Sequence, residues 1–254
     1  MRAGTGLDRW IPLLSAGLLA LVWQGSAWLA ARPRWLPPLD DVLVRLGEEI
    51  ASGDLFHHLG ATLLRVAAAF MIAMTVGTFI GIVMGRSRSA DLWGQPWLLF
   101  FLNLPALVLI VLAYIWIGLN ETAAILAVSL NKIPNVAVML REGTRALDRQ
   151  LLQMAKVYRF GRGKTLRHVV LPQLYPYLSA SARSGLALIW KIVLVVELLG
   201  RSNGVGFQIG LYFQLFDVAS ILAYALAFIL IVQAIEWGLL QPLERRLNGW
   251  RTLP

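Results

Sequence analysis

The stretch ATLLRVAAAFMIAMTVGTFIGIVM, residues 61–84, decides the fold class, because its only charged residue is Arg65. About 20 apolar residues in a helix are enough to cross the hydrocarbon core of a bilayer. In lipid, a helix also satisfies its own backbone hydrogen bonds, which an open strand cannot do. The stretch therefore predicts a membrane-spanning helix.

Five further apolar runs of similar length lie on either side of this stretch. They cover residues 10–31, 97–118, 121–140, 174–199 and 218–240. The run at 97–118 contains Asn103 and Pro105, and proline interrupts the hydrogen bonds of a helix. This predicts a broken or kinked span, either an ordinary proline kink or a gate beside a cavity. The sequence thus predicts an all-α integral membrane protein with about six transmembrane helices.

The composition agrees with a membrane protein. The chain of 254 residues is 58% hydrophobic and only 15% charged, whereas a soluble domain carries about 25% charged residues. Cysteine is absent, which excludes disulfides and thiolate metal sites. His57 and His58 have no acidic or cysteine neighbours at metal-ligand spacing, so we predict that both are surface residues.

The basic residues predict the orientation of the chain, because cytoplasmic loops are enriched in lysine and arginine. With the N-terminus in the cytoplasm, 15 of the 23 basic residues fall in inner segments, and only Arg32, Arg34, Arg45 and Arg201 fall in outer ones. We therefore predict that both termini are cytoplasmic. The formal charge of +9 is then mainly a signature of membrane topology, and it does not indicate nucleic-acid binding.

A short amphipathic helix is predicted at residues 39–51, between the first two spans, with Asp40 or Asp41 as its cap. The long inner loop, residues 141–173, shows helical spacing of apolar residues from Leu147 to Tyr158. After a glycine-rich break, a second amphipathic piece is predicted to end at Val170. Two short basic helices at the membrane surface suit docking into a groove of a soluble partner, although a solvated loop without a partner fits the same pattern.

The inner loop also contains Gly163-Lys164-Thr165, which looks like the end of a phosphate-binding loop. Such a loop needs a glycine five residues before Gly163, and Tyr158 stands there, with no predicted strand before it. We therefore expect no nucleotide binding by this chain, and no cofactor on it.

Several polar side chains fall inside the predicted spans, where an ionised group is costly unless it faces a cavity or a partner. Two hypotheses fit them: a polar path in which lysines offset the charge of a small anion, or structural ion pairs and snorkelling side chains. A pair between Lys132 and Glu197 across two helices is compatible with the sequence. We favour the path for Lys132 and a structural role for Arg65 and Arg183. The candidates for the path or gate are Asn103, Pro105, Lys132, Asn135, Lys191 and Glu197.

From about residue 35 to 247, an ordered set of short motifs resembles the permeases of binding-protein-dependent ABC importers, in the branch for nitrate, sulfonates and taurine. Leu171-Pro172 after a basic amphipathic stretch resembles the end of the EAA loop of that family. The other motifs are Trp35-Leu36-Pro37-Pro38, Gly77/Gly81/Gly85, Ile115-Trp116-Ile117-Gly118, Pro176-Tyr177-Leu178, Ser184-Gly185-Leu186-Ala187-Leu188, Val196-Glu197-Leu198-Leu199-Gly200 and Asn203-Gly204-Val205-Gly206-Phe207.

The resemblance implies a type I ABC importer permease fold: one transmembrane domain over residues 1–254, with a core at 61–240 that includes the coupling loop 141–173. It implies a homodimer in the bacterial inner membrane, two cytoplasmic ATPase subunits that hold ATP and Mg²⁺, and an external solute-binding protein. The implied solute is a small anion such as nitrate, a sulfonate or taurine. The implied coupling residues are Gln153, Met154, Ala155, Lys156, Tyr158, Arg159, Gly161, Leu171 and Pro172.

The coupling loop departs from the family pattern at two points. Gln153-Met154-Ala155 stands where the pattern has Glu-Ala-Ala, and Arg159 stands where it has a glycine. Gly161 follows two residues later, so the turn is either shifted or built differently.

Two other function classes compete with the importer. A secondary transporter or channel would need no ATPase and would use Lys132 and Lys191 for ion coupling or selectivity, but the sequence shows no internal repeat of the kind such transporters often have. A membrane-embedded enzyme ranks last, because the spans contain no cluster of His, Asp and Glu at metal or acid–base spacing.

Overall fold

A computed structural model describes residues 11–30 and 34–242, and every regular element in those ranges is helical. The basic residues Arg2, Arg9, Arg32, Arg245, Arg246 and Arg251, which enter the predicted charge distribution, lie outside these ranges. The helices are α1 (Ile11–Ala30), α2 (Leu39–Ser52), α3 (Asp54–Arg86), α4 (Arg88–Asn103), α5 (Ala106–Ile117), α6 (Glu121–Arg145), α7 (Arg149–Val157), α8 (Arg162–Thr165), α9 (Leu171–Gly200), α10 (Val205–Gln214) and α11 (Val218–Ile235).

Each of the six predicted spans falls on a helix or a pair of helices. By length and composition, α3, α6 and the helix Val218–Gly238 can each cross a membrane, and α4 with α5 makes a fourth span if the pair counts as one. Only 22% of the most apolar window of Val218–Gly238 is buried within the chain, so most of its apolar surface is left for lipid or a partner. α1 is shorter, and α9 carries several charges, so their spanning stays a prediction.

α3 and α6 pack closely along a stripe of glycines spaced four residues apart. A Cβ atom at Gly81 would lie 2.6 Å from the carbonyl oxygen of Ala137. Cβ atoms added at Gly77 and Gly85 would lie equally close to side chains of α6. Small residues at this spacing let two helix backbones approach, which stabilises helix pairs in lipid. α9 completes the centre of the bundle, and the main hydrophobic core lies where α3, α5, α6, α9, α10 and α11 meet.

α2 is the predicted amphipathic helix, but its predicted aspartate cap is wrong. The N-cap position is Pro38, and neither Asp40 nor Asp41 caps the helix. Instead the Gln24 side chain of α1 accepts a hydrogen bond from the Leu39 amide at 2.7 Å, which satisfies a free donor of the first turn.

The other end of α2 is tied to the bundle by Glu49, whose carboxylate accepts hydrogen bonds from the hydroxyls of Tyr212 and Tyr224, each at 2.6 Å. Burial and the hydrogen bond to Glu49 raise the pKa of Tyr212 well above its ordinary value, so its hydroxyl remains a donor.

The chain bends by 96° between α4 and α5, so the predicted break of the third span is confirmed. Leu104 and Pro105 form this bend, and the Asn103 side chain donates to the Leu99 carbonyl at 2.7 Å. The predicted second piece before Pro172 is helical, but its predicted end at Val170 is wrong. α8 continues through a π-helical turn, Leu166–Val170, directly into α9. This wider turn fits a proline just after it, since proline has no N–H to donate to the preceding turn.

Candidate functional site

The inner loop presents one short helix, α7, on the surface. Its N-terminus is capped by Asp148, whose carboxylate accepts from the Gln150 amide at 2.7 Å. Its buried side is Ala155, which is 1% exposed, and the preceding Leu147 packs with Val170 and Leu174 of the helix that follows. The loop is therefore packed against the bundle and has a defined position.

α7 ends in a Schellman motif centred on Arg159. The Phe160 amide donates to the Ala155 carbonyl at 2.8 Å, and the Arg159 amide donates to the Lys156 carbonyl at 3.0 Å. Arg159 takes the left-handed conformation, with φ of 50°. The turn is thus at Arg159, where the family pattern has glycine, and it is not shifted to Gly161.

The outward side of α7 is apolar although it lies in a basic loop. Val157 is 79% exposed and Tyr158 is 71% exposed, and Leu151 and Met154 are partly exposed on the same side. These four residues, which we call the α7 stripe, follow helical spacing. Other predicted coupling residues, Gln153, Lys156, Arg159, Gly161 and Leu171, are exposed, and Pro172 is half-buried. An exposed apolar stripe with a charged rim is typical of a docking surface.

Gly163-Lys164-Thr165 lies within α8, and no strand is found among the described residues. A phosphate-binding loop requires a strand before it and a helix after it, so this segment lacks the required context.

Among the predicted path residues, Lys132 is 2% exposed and makes no hydrogen bond or ion pair with any residue in the ranges 11–30 and 34–242. Its side chain lies against Gly185 of α9. Asn135 and Lys191 are exposed on α6 and α9, and Asn103 and Pro105 are exposed at the α4–α5 bend.

Glu197 pairs with a different residue from the one we considered. Its carboxylate accepts from the Arg65 guanidinium at 2.6 Å, from the Thr62 hydroxyl at 2.9 Å and from the Gly206 amide at 2.9 Å. The pair between Lys132 and Glu197 is therefore not formed. Glu197 is fully buried, and the pair with Arg65 confirms a structural role for that arginine.

This buried cluster holds the start of α10 in place. The amides of Gly204, Val205 and Gly206 donate to His58, Thr62 and Glu197 respectively, so side chains of α3 and α9 satisfy the free donors of this helix terminus. Gly204 has φ of 110°, and a Cβ there would lie within 2.5 Å of the Glu197 carboxylate. Glycine is required for this close approach.

His58 is buried, so the predicted surface position is wrong for this residue, whereas His57 is exposed. The Gly204 amide donates to His58 Nδ1 at 3.0 Å, which assigns the hydrogen of the neutral ring to Nε2. The end of the Gln208 side-chain amide lies 2.6 Å from His58 Nε2. The oxygen of that amide has no other hydrogen-bond partner, so we orient the amide with this oxygen accepting from Nε2.

Sequence reasoning missed His58, Thr62 and Asn203 as members of this cluster. Part of the cluster could have been predicted, because His58, Thr62 and Arg65 recur at four- and three-residue spacing on one side of an apolar helix. Asn203 gives no such signal. Its contact with Arg65 depends on how the loop after α9 folds back.

Comparison with known proteins agrees with this architecture. The model of the family "Binding-protein-dependent transport system inner membrane component" matches residues 61–238. The putative aliphatic sulfonates transport permease protein SsuC of Bacillus subtilis (strain 168) is 29% identical over 240 residues, which cover 94% of this chain and 87% of that protein. The taurine transport system permease protein TauC of Escherichia coli (strain K12) is 28% identical over 246 residues, covering 93% and 89%.

The fold has a counterpart among solved structures. A crystal structure of an amino acid ABC transporter with histidines superimposes with a TM-score of 0.62 and 21% sequence identity, covering 79% of this chain and 97% of that one. The likeness establishes the fold.

Proposed function

The chain belongs to the family of binding-protein-dependent transport system inner membrane components and is a permease subunit of an ABC importer, and on this premise we propose that it carries a small anion inward. Two relatives that align over most of the chain are named for aliphatic sulfonates and for taurine, both of which carry a sulfonate group. This supports a sulfonate, taurine or a similar small oxyanion such as nitrate as the solute.

The observation that carries the proposal is the α7 stripe. Leu151, Met154, Val157 and Tyr158 expose apolar surface on a helix that Leu147 and Ala155 anchor to the bundle. We infer that a cytoplasmic ATPase covers this stripe, one ATPase subunit on each of two permease copies. ATP and Mg²⁺ are then held by the ATPase, and this chain catalyses no covalent step.

The path is assigned to the interface of two copies of this chain. Lys132, Asn135 and Lys191 lie on α6 and α9 at membrane depth, and the bend at Asn103 and Pro105 contributes a gate. Lys191 is exposed. An exposed lysine on a spanning helix is unfavourable in lipid, so Lys191 is expected to face water or another protein surface. We leave Glu197 out of the path, because its carboxylate is fully buried and bonded within the chain.

We also propose an orientation for the chain in the membrane. The α7 loop faces the cytoplasm, in agreement with its basic residues, and both termini are on the same side. An external binding protein then delivers the solute to the opposite face of a bacterial inner membrane, near residues 32–60 and 200–217.

Uptake in proteoliposomes tests this function. The complex of permease and ATPase is reconstituted with ATP enclosed, and the binding protein and ³⁵S-labelled taurine or ethanesulfonate are added outside. We expect uptake that requires hydrolysable ATP and stops with a non-hydrolysable analogue. The control is the permease reconstituted without the ATPase, which is expected to take up nothing. Uptake by that control would favour an ATPase-independent carrier.

A further inference from the structure

Lys132 is a buried cation without a counter-charge. It lies near the middle of α6, it is 2% exposed, and neither a carboxylate nor any other hydrogen-bonding partner contacts it within residues 11–30 and 34–242. Arg65, the other buried cation among the residues that the structure describes, has two carboxylates and an asparagine around it. Buried charges in proteins are paired or bound to a ligand, because desolvation without compensation is unfavourable.

The absence of a side chain at Gly185 makes room for the lysine. A Cβ atom at this position would lie 3.0 Å from Lys132 Cε and 3.9 Å from Nζ. The ammonium group therefore occupies the space beside the backbone of α9, at the contact between the two helices.

The face of the molecule next to this contact, which we call the polar face, carries several polar side chains beside the exposed apolar residues Leu188 and Val195. α6 and α9 run antiparallel, since Arg201 at the end of α9 bonds Glu121 at the start of α6. Asn131 precedes Lys132 by one residue, and Ser184 precedes Gly185 by one residue, so both are turned by about 100° to the same side of the helix pair. Asn135 and Lys191 lie on this side also, and Ser184, Asn135 and Lys191 are exposed.

We propose that Lys132 is the charge-compensating contact of an anion-binding site at membrane depth, which opens on this polar face. The ligand class is a small, singly charged oxyanion, a sulfonate or nitrate, with Asn135 and Lys191 at the entrance. The inference deepens the proposed function and rests on it, because a permease for such anions needs a place where their charge is balanced away from water.

Thermal unfolding of the full-length chain in detergent tests the site without the ATPase. The probes are sodium methanesulfonate, sodium ethanesulfonate and sodium nitrate, each compared with sodium gluconate at equal ionic strength. We expect at least one of the three to raise the Tm of the wild type by about 3 °C, since a ligand bound only to the folded state stabilises it. In Lys132→Met the rise is expected to be lost, while the Tm without the probes is higher than that of the wild type because an unpaired buried charge is removed.

Arg88→Gln is the matched control, because Arg88 is exposed at the start of α4 and its replacement by glutamine also removes one positive charge. It is expected to keep the whole anion-dependent rise. An equal rise in Lys132→Met and the wild type would overturn the proposal, and so would the absence of a rise in the wild type with all three probes. A Lys132→Met chain that is less stable without the probes would instead indicate a carboxylate of a second copy as the partner, which also overturns it. Each result is independent of whether ATP-driven uptake succeeds.

Discussion

Arg159 is held in a backbone conformation that its side chain disfavours. Its φ of 50° lies in the left-handed region, where an L-residue with a Cβ atom is less stable than glycine by about 1 kcal/mol. The Schellman hydrogen bonds from Arg159 to Lys156 and from Phe160 to Ala155 hold it there. This destabilising backbone conformation lies at the end of α7, the helix that carries the α7 stripe.

Arg159→Gly is therefore expected to stabilise the protein by about 1 kcal/mol, or about 2–4 °C in Tm, because the strain at this position is removed. The measurement is thermal unfolding of the purified chain in detergent. Arg162→Gly is the control, since it removes the same charge at the first residue of α8, where φ is not positive and glycine relieves no strain. A lower Tm for Arg159→Gly than for the wild type would contradict the account of the turn.

For some residues the sequence was sufficient to predict the position of the side chain, and for others it did not predict the burial or the partner. The place of Lys132 within an apolar run could be read from the sequence, but its burial against Gly185 could not. The partner of Glu197 did not follow, because Arg65 lies 132 positions away and its pairing depends on how α3 crosses α9. His58 was predicted at the surface because it stands before the apolar run, but α3 begins earlier, at Asp54, and turns this histidine toward α10.

At the scale of helices, the contact between α3 and α6 depends on glycines that differ in what surrounds them. A Cβ at Gly81 would meet the backbone of α6 at 2.6 Å, whereas a Cβ at Gly60 of the same helix has nothing within 4 Å. Backbone atoms cannot move aside without shifting the whole helix, so the two positions respond to substitution in opposite ways.

Gly81→Ala is expected to destabilise the bundle by about 1–3 kcal/mol, as overpacking in a tight interior does. Gly60→Ala, its matched control, is expected to be neutral or to add up to about 1 kcal/mol through helix propensity. Thermal unfolding of both variants in detergent measures the difference. Equal effects of the two substitutions would contradict the close packing of α3 on α6.

Helix positions were largely predictable, because apolar runs and proline mark them directly. The break at Pro105 is one example, and α2 is another. The continuity of α8 with α9 was not, because a proline at residue 172 reads as a boundary, and the π-helical turn that precedes it gives no sequence signal.

At the scale of the whole molecule, two of the exposed surfaces of the described residues are assigned to a function. One is the polar face of α6 and α9 with Asn135 and Lys191, which we assign to the path between two copies. The other is the α7 stripe, on the predicted cytoplasmic side. The family and fold were predictable from an ordered set of motifs. The polar face required the packed structure, because it combines residues of α6 and α9, and the exposure of the α7 stripe required it too, because packing decides that Leu147 and Ala155 are the buried residues.

The most direct test of the central claim, that an ATPase drives this permease through α7, is the amount of ATPase that co-purifies with the permease. We expect wild type to retain the ATPase and Val157→Asp to lose about tenfold or more of it, because a charge in the centre of an apolar contact removes a dominant part of the binding energy. Ser89→Asp adds the same charge at an exposed site on α4 and is expected to retain it. Equal recovery of ATPase with Val157→Asp and with wild type would contradict the claim.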